Sequence, residues 1–351
     1  GTIELASIGN NTALNMKEGP VTLTGGGTIF LNSVAHIRRS GGEGSLVNVD
    51  NTIRGVGNLS GTSTSNRMDI TNQGTILADS DSGALTIFGN SAGDGFTNAA
   101  GGLVHVTGLG GLTSSGNGFT NAGGQITVDA GRSLSRTGHY IQTAGTTTVN
   151  GTLAVTGSGN QLRLQGGVLN GNGQINGVLN NTGGFLNPGA SAGQLIVNGT
   201  YMQSNLGVLQ IEINGEIPID EHDILHVNGN AMLGGTLEPI FDEKYMPAVG
   251  DEWIILTANS RSGTFAVIPC NGIRVRYESD DDGELVTVEY TGVNRVGDLN
   301  CDGIVNVFDL LLLLGNWGAC PDPGFAPCPG DLNEDGTVNV FDLLELLANW
   351  G

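Results

Sequence analysis

A loosely repeated motif, rich in Gly and Asn, runs through the first two-thirds of the chain. The copy "GFTNAAGGLVHV" begins at Gly95, and the copy "GFTNAGGQITV" begins 23 residues later at Gly118. The stretch "YIQTAGTTTV" from Tyr140 has the same shape. Weaker copies begin near Asp69, at Val178 and at Tyr201. A period of about 20 to 25 residues is typical of a solenoid, in which each repeat stacks on the next.

Within each copy, a short run of alternating apolar and polar residues is followed by Asn-Gly or Gly-Gly. The runs "GQITVDA" and "GTLAVTG" have the period of two expected of half-buried strands. Asn-Gly steps, which favour tight turns, occur at 150–151, 170–171, 176–177, 198–199 and 228–229. Such short strands are stable only when neighbouring repeats pair. The pattern therefore predicts a right-handed parallel β-helix over residues 1–268.

Composition excludes several classes of protein and partner. With 60 Gly in 351 residues, a compact helical fold is disfavoured, because each Gly in a helix costs about 1 kcal/mol. Hydrophobic residues make up 38% of the chain, too many for a disordered one. The net charge of −21 disfavours nucleic acid and suits cations. The five leucines at 310–314 are far short of the roughly 20 apolar residues of a membrane span, so no membrane insertion is expected.

An ordered series of motifs runs from Gly183 to Ile268. It includes "VNGTY", "DILHVNG", "LGGTL" and "GDEWIIL", in that order. The series resembles the terminal rungs of autotransporter-type β-helices. The resemblance implies a solenoid that approaches its cap at about residues 183–268, and it implies no activity. The stretch "IRVRYESDDDGELVTVEY" predicts a β-hairpin cap within residues 269–290, and residues 291–296 are predicted to be a linker.

Two acidic loops, 33 residues apart, follow this linker. They lie in "GDLNCDGIVNVFDLLLLLGNWG" from Gly297 and "GDLNEDGTVNVFDLLELLANWG" from Gly330. On a twelve-position calcium loop, positions 1, 3, 5, 7, 9 and 12 of the first copy are Asp298, Asn300, Asp302, Ile304, Asn306 and Asp309. In the second copy they are Asp331, Asn333, Asp335, Thr337, Asn339 and Asp342. Position 7 binds through its backbone carbonyl, so Ile and Thr are both compatible. The sequence predicts two calcium ions.

Each loop is predicted to lead directly into a helix. The first helix is expected to bury Phe308, its leucines and Trp317, and the second to bury Phe341, its leucines and Trp350. The closing acid is Asp rather than the Glu of an EF-hand, and no helix precedes the first loop. A duplicated loop with an exiting helix resembles the type I dockerin, over residues 297–351. The resemblance implies a small all-α calcium-binding domain with two packed helices and a cohesin partner.

Two departures from the dockerin pattern bear on the partner. Positions 10 and 11 of each loop, where cohesin-binding dockerins carry Ser or Thr, are occupied by Val307 and Phe308 and by Val340 and Phe341. In addition, no Lys or Arg occurs from Gly297 onward. The alternatives are a divergent cohesin-like protein, a neighbouring domain of the same protein, or no partner.

Catalytic residues are not evident in the sequence. The densest cluster of titratable residues is "DEHDILH", Asp220 to His226, which is expected to be a solvated turn before a strand. The four cysteines allow three pairings. A disulfide between Cys320 and Cys328, which bracket "CPDPGFAPC", would suit an oxidising compartment. The sequence alone does not choose between the pairings of Cys270, Cys301, Cys320 and Cys328.

These observations favour a structural or adhesive β-solenoid that is secreted or held at the cell surface. Its C-terminal module would bind calcium and attach it non-covalently to a partner. The alternative is a component of extracellular polysaccharide degradation, either a glycoside hydrolase or polysaccharide lyase or a carbohydrate-binding scaffold. The chain shows no signal peptide and is expected to be a piece of a longer protein.

Overall fold

A computed structural model provides the structure of the chain. It describes all residues except 7–10, 18, 41–43, 62–66, 90–94, 243, 268–271, 282, 293–295, 301–303, 321–327, 329 and 334. Cys270 and Cys301 therefore lie outside the described residues, as do Asp302 of the first predicted calcium loop and part of the predicted linker.

Short strands occupy most of the chain before residue 291. The first fifteen are β1 (Thr2–Ala6), β2 (Ala13–Met16), β3 (Gly19–Leu23), β4 (Thr28–Arg39), β5 (Gly44–Asn48), β6 (Thr52–Leu59), β7 (Asp69–Asn72), β8 (Thr75–Ala78), β9 (Leu85–Phe88), β10 (Phe96–Ala99), β11 (Leu103–Val106), β12 (Leu112–Ser115), β13 (Phe119–Val128), β14 (Ser133–Thr137) and β15 (Tyr140–Val149). The next fifteen are β16 (Thr152–Thr156), β17 (Gln161–Leu164), β18 (Val168–Gly171), β19 (Gln174–Asn176), β20 (Val178–Asn181), β21 (Phe185–Pro188), β22 (Gln194–Asn198), β23 (Tyr201–Gln203), β24 (Val208–Ile213), β25 (Ile224–Leu233), β26 (Thr236–Phe241), β27 (Glu252–Gly263), β28 (Ala266–Val267), β29 (Ile273–Asp280) and β30 (Gly283–Tyr290).

The strands up to β28 form the stacked region (residues 1–267), in which each strand pairs in parallel with one from the next repeat. One stack runs β1, β4, β6, β8, β11, β13, β15, β18, β21, β24, β26, β28. Two further stacks are formed in the same way, and long strands such as β4 and β13 contribute to more than one stack. The chain is therefore mainly β, with a large parallel sheet consistent with a β-solenoid. The right-handed coil remains a prediction.

The core of the stacked region is a column of apolar side chains in register. In the first stack, Ile29 pairs with Ile53, and Ile53 with Ile76. The column continues through Val104 and Ile126, and all five side chains are at most 5% exposed. Thr28, Thr52 and Thr75 precede the isoleucines and are only partly buried, as the period of two requires. Register therefore follows from the burial of alternate residues.

A ladder of asparagines also lies inside the stacked region. The amides of Asn48, Asn72, Asn98 and Asn121 are fully buried. Asn48 Nδ2 donates to Asn72 Oδ1 at 2.9 Å, Asn72 Nδ2 to Asn98 Oδ1 at 2.9 Å, and Asn98 Nδ2 to Asn121 Oδ1 at 3.3 Å. Each amide also bonds to backbone, for example Asn98 Nδ2 to the carbonyl of Gln125 at 3.0 Å. The ladder ties successive repeats together where the chain turns.

An antiparallel hairpin follows the last repeat. β29 and β30 pair with each other, and Asp280 lies opposite Gly283 at the turn. β30 also pairs antiparallel with β27, so it covers an edge of the parallel sheet. An exposed sheet edge invites pairing with another chain, and β30 covers the edge of β27.

The C-terminal unit (residues 296–351) contains the two predicted loops. It has two nine-residue helices, α1 (Val307–Gly315) and α2 (Val340–Ala348). It also has a small antiparallel pair, β31 (Gly318–Ala319) and β32 (Thr337–Val338). The described part of the unit thus has two short helices joined to a strand pair, where an all-α domain was predicted.

Candidate metal centre

The two halves of the C-terminal unit contact each other reciprocally. Its core consists of Val305 and Leu313 from the first half and Val338 and Leu346 from the second, all fully buried. Each residue lies 33 positions from its counterpart. Gly318 pairs with Val338, and at the equivalent place the N–H of Gly351 donates to the carbonyl of Val305 at 2.9 Å. Each half therefore pairs with the other through the same positions.

Two glycines allow this close contact. Gly297 has φ +95° and lies so close to α2 that a Cβ there would meet the Cα of Leu346 at 2.9 Å. Gly330 has φ +105°, and a Cβ there would meet Val338 Cγ1 at 3.3 Å and Leu313 Cα at 3.5 Å. Both positions thus have a positive φ, which only Gly tolerates without strain, and at Gly297 a Cβ would also be too close to the other half.

The last acid of each loop is buried and ties the loop to its helix. Asp309 and Asp342 are fully buried at the third position of α1 and α2. Asp342 Oδ1 accepts the N–H groups of Leu332 at 2.8 Å and Asn333 at 3.2 Å, and Oδ2 accepts that of Asn339 at 2.8 Å. Asp309 accepts three equivalent N–H groups, from residues 299, 300 and 306. Each acid therefore completes a capping box and also holds the start of its loop.

The polar side chains of the second loop converge. Asp331 accepts the backbone N–H of Asp335 at 3.1 Å and that of Gly336 at 2.9 Å. Asn333 Nδ2 donates to Asp335 Oδ2 at 3.1 Å, and Asn339 Nδ2 to the same oxygen at 3.3 Å. Gly336, at position 6, has φ +85°, a conformation that Gly adopts without strain and that allows the sharp turn of the loop. Positions 1, 3, 5 and 9 are thus gathered around one another.

The first loop is described only in part. Asp298 is 4% exposed and Ile304 is 53% exposed. Asn306 Oδ1 accepts the N–H of Phe308 at 2.8 Å and caps α1, as Asn339 caps α2. Asn300 reaches Asp309 through its backbone N–H at 2.9 Å. Asp302 lies outside the described residues, so the loop can be compared with its twin only at the other five positions.

The donor chemistry of these loops fits a hard divalent cation. Ca²⁺ takes six to eight oxygen ligands from carboxylates, amide oxygens and backbone carbonyls, and the loops offer all three. Asp342 already accepts three N–H groups, and a carboxylate has about four lone-pair sites, so about one site remains for a metal. Asp331, Asn333 and Asp335, with the carbonyl of Thr337, would hold most of the ion's shell. Position 12 has a scaffolding role that the sequence did not suggest.

A different cluster meets the geometric requirement for a metal site but lacks the chemistry. Among the described residues, one group of three Cys, His or acidic side chains has its ligand atoms within 4.8 Å of one another, and it comprises Cys320, Cys328 and Asp331. The two sulfurs form a disulfide with an S–S distance of 2.03 Å. A disulfide offers no thiolate to a metal, so this group is not a metal site. The Cys320–Cys328 disulfide is one of the pairings that the sequence left open.

The prediction that the helices bury their aromatic residues was wrong. Phe308 and Phe341 are 62% and 64% exposed, and Trp317 and Trp350 are 49% and 47% exposed. Of the leucines, each nine-residue helix fully buries one, Leu313 or Leu346. Only a single face of such a short helix can contact the other half, and the buried acid occupies part of that face. Leu310 and Leu343 are partly buried against the core, and the other apolar side chains of the helices lie at the surface.

The cluster at 220–226 also differs from its prediction. Asp220 is exposed, but His222 and Asp223 are 1% and 2% exposed. Asp223 Oδ2 accepts the N–H of Glu212 at 2.9 Å, while Oδ1 has no hydrogen-bond partner. Burial raises the pKa of Asp223 to about 7, and the charge of Glu212 adds to this shift. The cluster was predicted to be solvated because it is dense in charged residues. In the structure, His222 and Asp223, which lie directly before the next strand, are buried with it.

In comparisons with known proteins, no family model matches this chain, and no curated protein sequence matches it. Within the described residues, no helix is both long enough and apolar enough to cross a lipid bilayer.

Proposed function

We propose that the chain is a structural or adhesive β-solenoid, secreted or held at the cell surface, with a calcium-dependent dockerin-like module at residues 297–351. The observation that carries the proposal is the duplicated loop. Two copies place the same residue types at five of the six ligand positions, and in both the position-12 acid holds the loop and the helix together. Two calcium ions are the proposed cofactors.

Paired apolar surfaces support attachment to a protein partner. Five pairs of exposed side chains, each pair related by the 33-residue offset, lie in or directly after the two helices: Val307 and Val340, Phe308 and Phe341, Leu311 and Leu344, Leu314 and Leu347, and Trp317 and Trp350. Exposed apolar clusters of this kind usually mark binding surfaces. They include positions 10 and 11, where the dockerin resemblance places partner contacts. An apolar patch on a cohesin-like protein or on a neighbouring domain is the proposed counterpart.

The proposal is tested by calcium-dependent capture. The full chain is immobilised and exposed to proteins secreted by its source, in calcium and in chelator. The proposal expects a partner that is retained only in calcium and is lost from the Phe308→Ser/Phe341→Ser variant. A matched control, Ile217→Ser/Met246→Ser, removes exposed apolar side chains of the stacked region, which are 54% and 89% exposed, and should retain the partner. Equal capture in calcium and chelator contradicts the proposal.

A carbohydrate-binding scaffold is the second candidate function, and a groove on the stacked region favours it. Two depressions of about 220 and 320 Å³ share Phe30 and Arg54. The Arg54 guanidinium lies 5.7 Å from the centre of the Phe30 ring and pairs with Asp79. Glu4 lines the other side of the groove. An aromatic ring beside hydroxyl-binding groups suits a sugar, and two carboxylates against one guanidinium favour a neutral polysaccharide over an acidic one.

Affinity electrophoresis in gels containing neutral or acidic polysaccharides tests this second candidate. Retardation by a neutral polysaccharide should be lost in the Arg54→Ala variant and kept in Arg163→Ala, which changes an arginine elsewhere on the stacked region. Equal retardation of both variants would assign the binding to another surface. No retardation in any gel would remove the candidate.

A further inference from the structure

The disulfide between Cys320 and Cys328 lies directly against the second acidic loop. Asp331, at position 1, follows Cys328 by three residues, and its N–H donates to the Cys328 carbonyl at 3.2 Å. Cys320 Sγ lies 3.4 Å from Asp331 Oδ2. Since a disulfide sulfur carries no hydrogen, this is a packing contact against the carboxylate. The bond therefore touches the first predicted calcium ligand.

Cys320 also contacts the opposite side of the same loop. Its N–H donates to the carbonyl of Gly336, at position 6, at 3.0 Å. The residues immediately before it, Gly318 and Ala319, pair with Val338 and Thr337. The disulfide thus joins two segments of the chain. One segment pairs with positions 6 to 8 of the loop, and the other leads into position 1. One covalent bond therefore holds both ends of the part of the loop from position 1 to position 6.

The first loop has no cysteine at the matching place. The position 33 residues before Cys328 is Arg295, and Cys301 instead falls inside the first loop, where the second loop has Glu334. The core positions and helix caps of the two halves match, and their cysteines do not. This difference predicts a functional difference between two otherwise equivalent loops.

We infer that Cys320 and Cys328 are positioning residues for the second calcium loop, and that their disulfide sets the calcium affinity of that loop selectively. The inference rests on the proposed calcium binding. Without the bond, the segments before position 1 and beside position 6 are joined covalently only through the backbone between them, so binding must order the two segments at the same time. A ligand set that is ordered beforehand binds more tightly, because ordering no longer opposes binding. Selective reduction of this bond would therefore weaken one loop and leave its twin intact.

The test measures each loop separately in the full chain, with calcium as the probe. Asp298→Asn weakens the first loop and leaves the second to be titrated, and Asp331→Asn does the reverse. Each variant is combined with Cys320→Ser/Cys328→Ser, and calcium binding is followed by isothermal titration calorimetry. We expect the second loop to bind about tenfold more weakly or worse without the disulfide, whereas the first loop changes less than about twofold.

The outcomes separate this inference from the proposed function. Equal weakening of both loops would assign the disulfide a general stabilising role and overturn the inference, as would unchanged affinity of the second loop. If neither loop of the unmodified chain takes up calcium, the proposed function fails first. Cys270→Ser/Cys301→Ser, which also removes two cysteines, is the matched control and should leave the affinity of the second loop unchanged. Far-ultraviolet circular dichroism of each variant in calcium confirms that it is folded.

Discussion

The stacked region and the C-terminal unit are stabilised in different ways. The stacked region buries continuous columns of Ile, Val and Leu and adds a buried ladder of asparagines. In its described part, the C-terminal unit fully buries the apolar side chains Val305, Leu313, Val338 and Leu346, and it depends on two buried aspartates to hold its loops. A repeat region gains stability from each added neighbour, whereas a small unit needs a metal or a disulfide. The comparison predicts that perturbations of one region leave the other folded.

Removal of calcium is expected to have the largest effect. Each loop carries three carboxylates at its predicted ligand positions, and the small core cannot offset their repulsion without the cation, so the C-terminal unit should lose its fold in chelator. Two of the three tryptophans, Trp317 and Trp350, lie in this unit, and Trp253 is buried in the stacked region. Tryptophan emission should therefore change on chelation, while the β signal in circular dichroism is retained.

A matched variant identifies the origin of that change. Trp317→Phe/Trp350→Phe leaves Trp253 as the remaining tryptophan, and its emission should not respond to calcium. Emission of the unmodified chain that is identical in calcium and chelator would contradict the expected dependence of folding on metal.

The asparagine ladder should be the most sensitive polar element of the stacked region. Asn98→Ala removes the hydrogen bonds of Asn98 to the side chains of Asn72 and Asn121 and its bond to the Gln125 carbonyl, so we expect a loss of about 2–4 kcal/mol in the free energy of unfolding. Chemical denaturation followed by circular dichroism measures it. Asn228→Ala is the control, because Asn228 also bonds to an asparagine of the previous repeat, Asn198, but at the surface. It should cost less than about 1 kcal/mol.

Asp223 should make the stacked region less stable as pH rises. Burial raises the pKa of this carboxyl to about 7, above that of the unfolded chain, so the folded state holds the proton more tightly. The stabilisation is complete below about pH 4 and is lost as pH rises toward 7, a change of about 3 kcal/mol between pH 5 and 8. In the Asp223→Asn variant, the denaturation midpoint should no longer show this component of its dependence on pH. Asp129→Asn, which alters an exposed acid paired with His105, should retain it.

The smallest effect on stability is expected at the exposed aromatic residues. Phe308→Ser/Phe341→Ser should change the free energy of unfolding of the C-terminal unit by less than about 0.5 kcal/mol and leave calcium binding intact. Leu313→Ala, in the same helix as Phe308, should cost about 2–5 kcal/mol because Leu313 is fully buried. Calcium titration monitored by tryptophan emission measures the effect of both variants. A large loss from the phenylalanine variant would indicate that these rings are part of the core.

The periodic features of the fold could be predicted from the sequence. Alternation in runs such as "GQITVDA" indicated strands, and Ile126 within that run is buried as the pattern requires. The hairpin turn near Gly283 follows from its acidic, Gly-containing sequence. In the C-terminal unit, the positions of both loops and of the helices after them were predicted from the spacing of Asp, Asn and Gly.

Features that depend on contacts between distant residues could not be predicted. The repeated "TN" pairs, as in "FTNA", are the signal that could have revealed the asparagine ladder, but an Asn in a Gly-rich repeat is equally typical of a turn. The exposure of Phe308 depends on how much of α1 the other half covers. The scaffolding role of Asp342 depends on backbone N–H groups of residues nine and ten positions earlier, which the spacing of ligands does not show.

The parallel register of the first stack also determines the length of the stacked region. Its twelve strands, from β1 to β28 in the described part of the chain, are separated by about 4.8 Å each, so they span about 50 Å. One further repeat, such as the 23 residues between Gly95 and Gly118, would lengthen the molecule by a single strand spacing while every column stays in register. Repeat number therefore sets how far the two ends of this region are held apart. Evolution or design can adjust that distance in steps of one repeat without a new core.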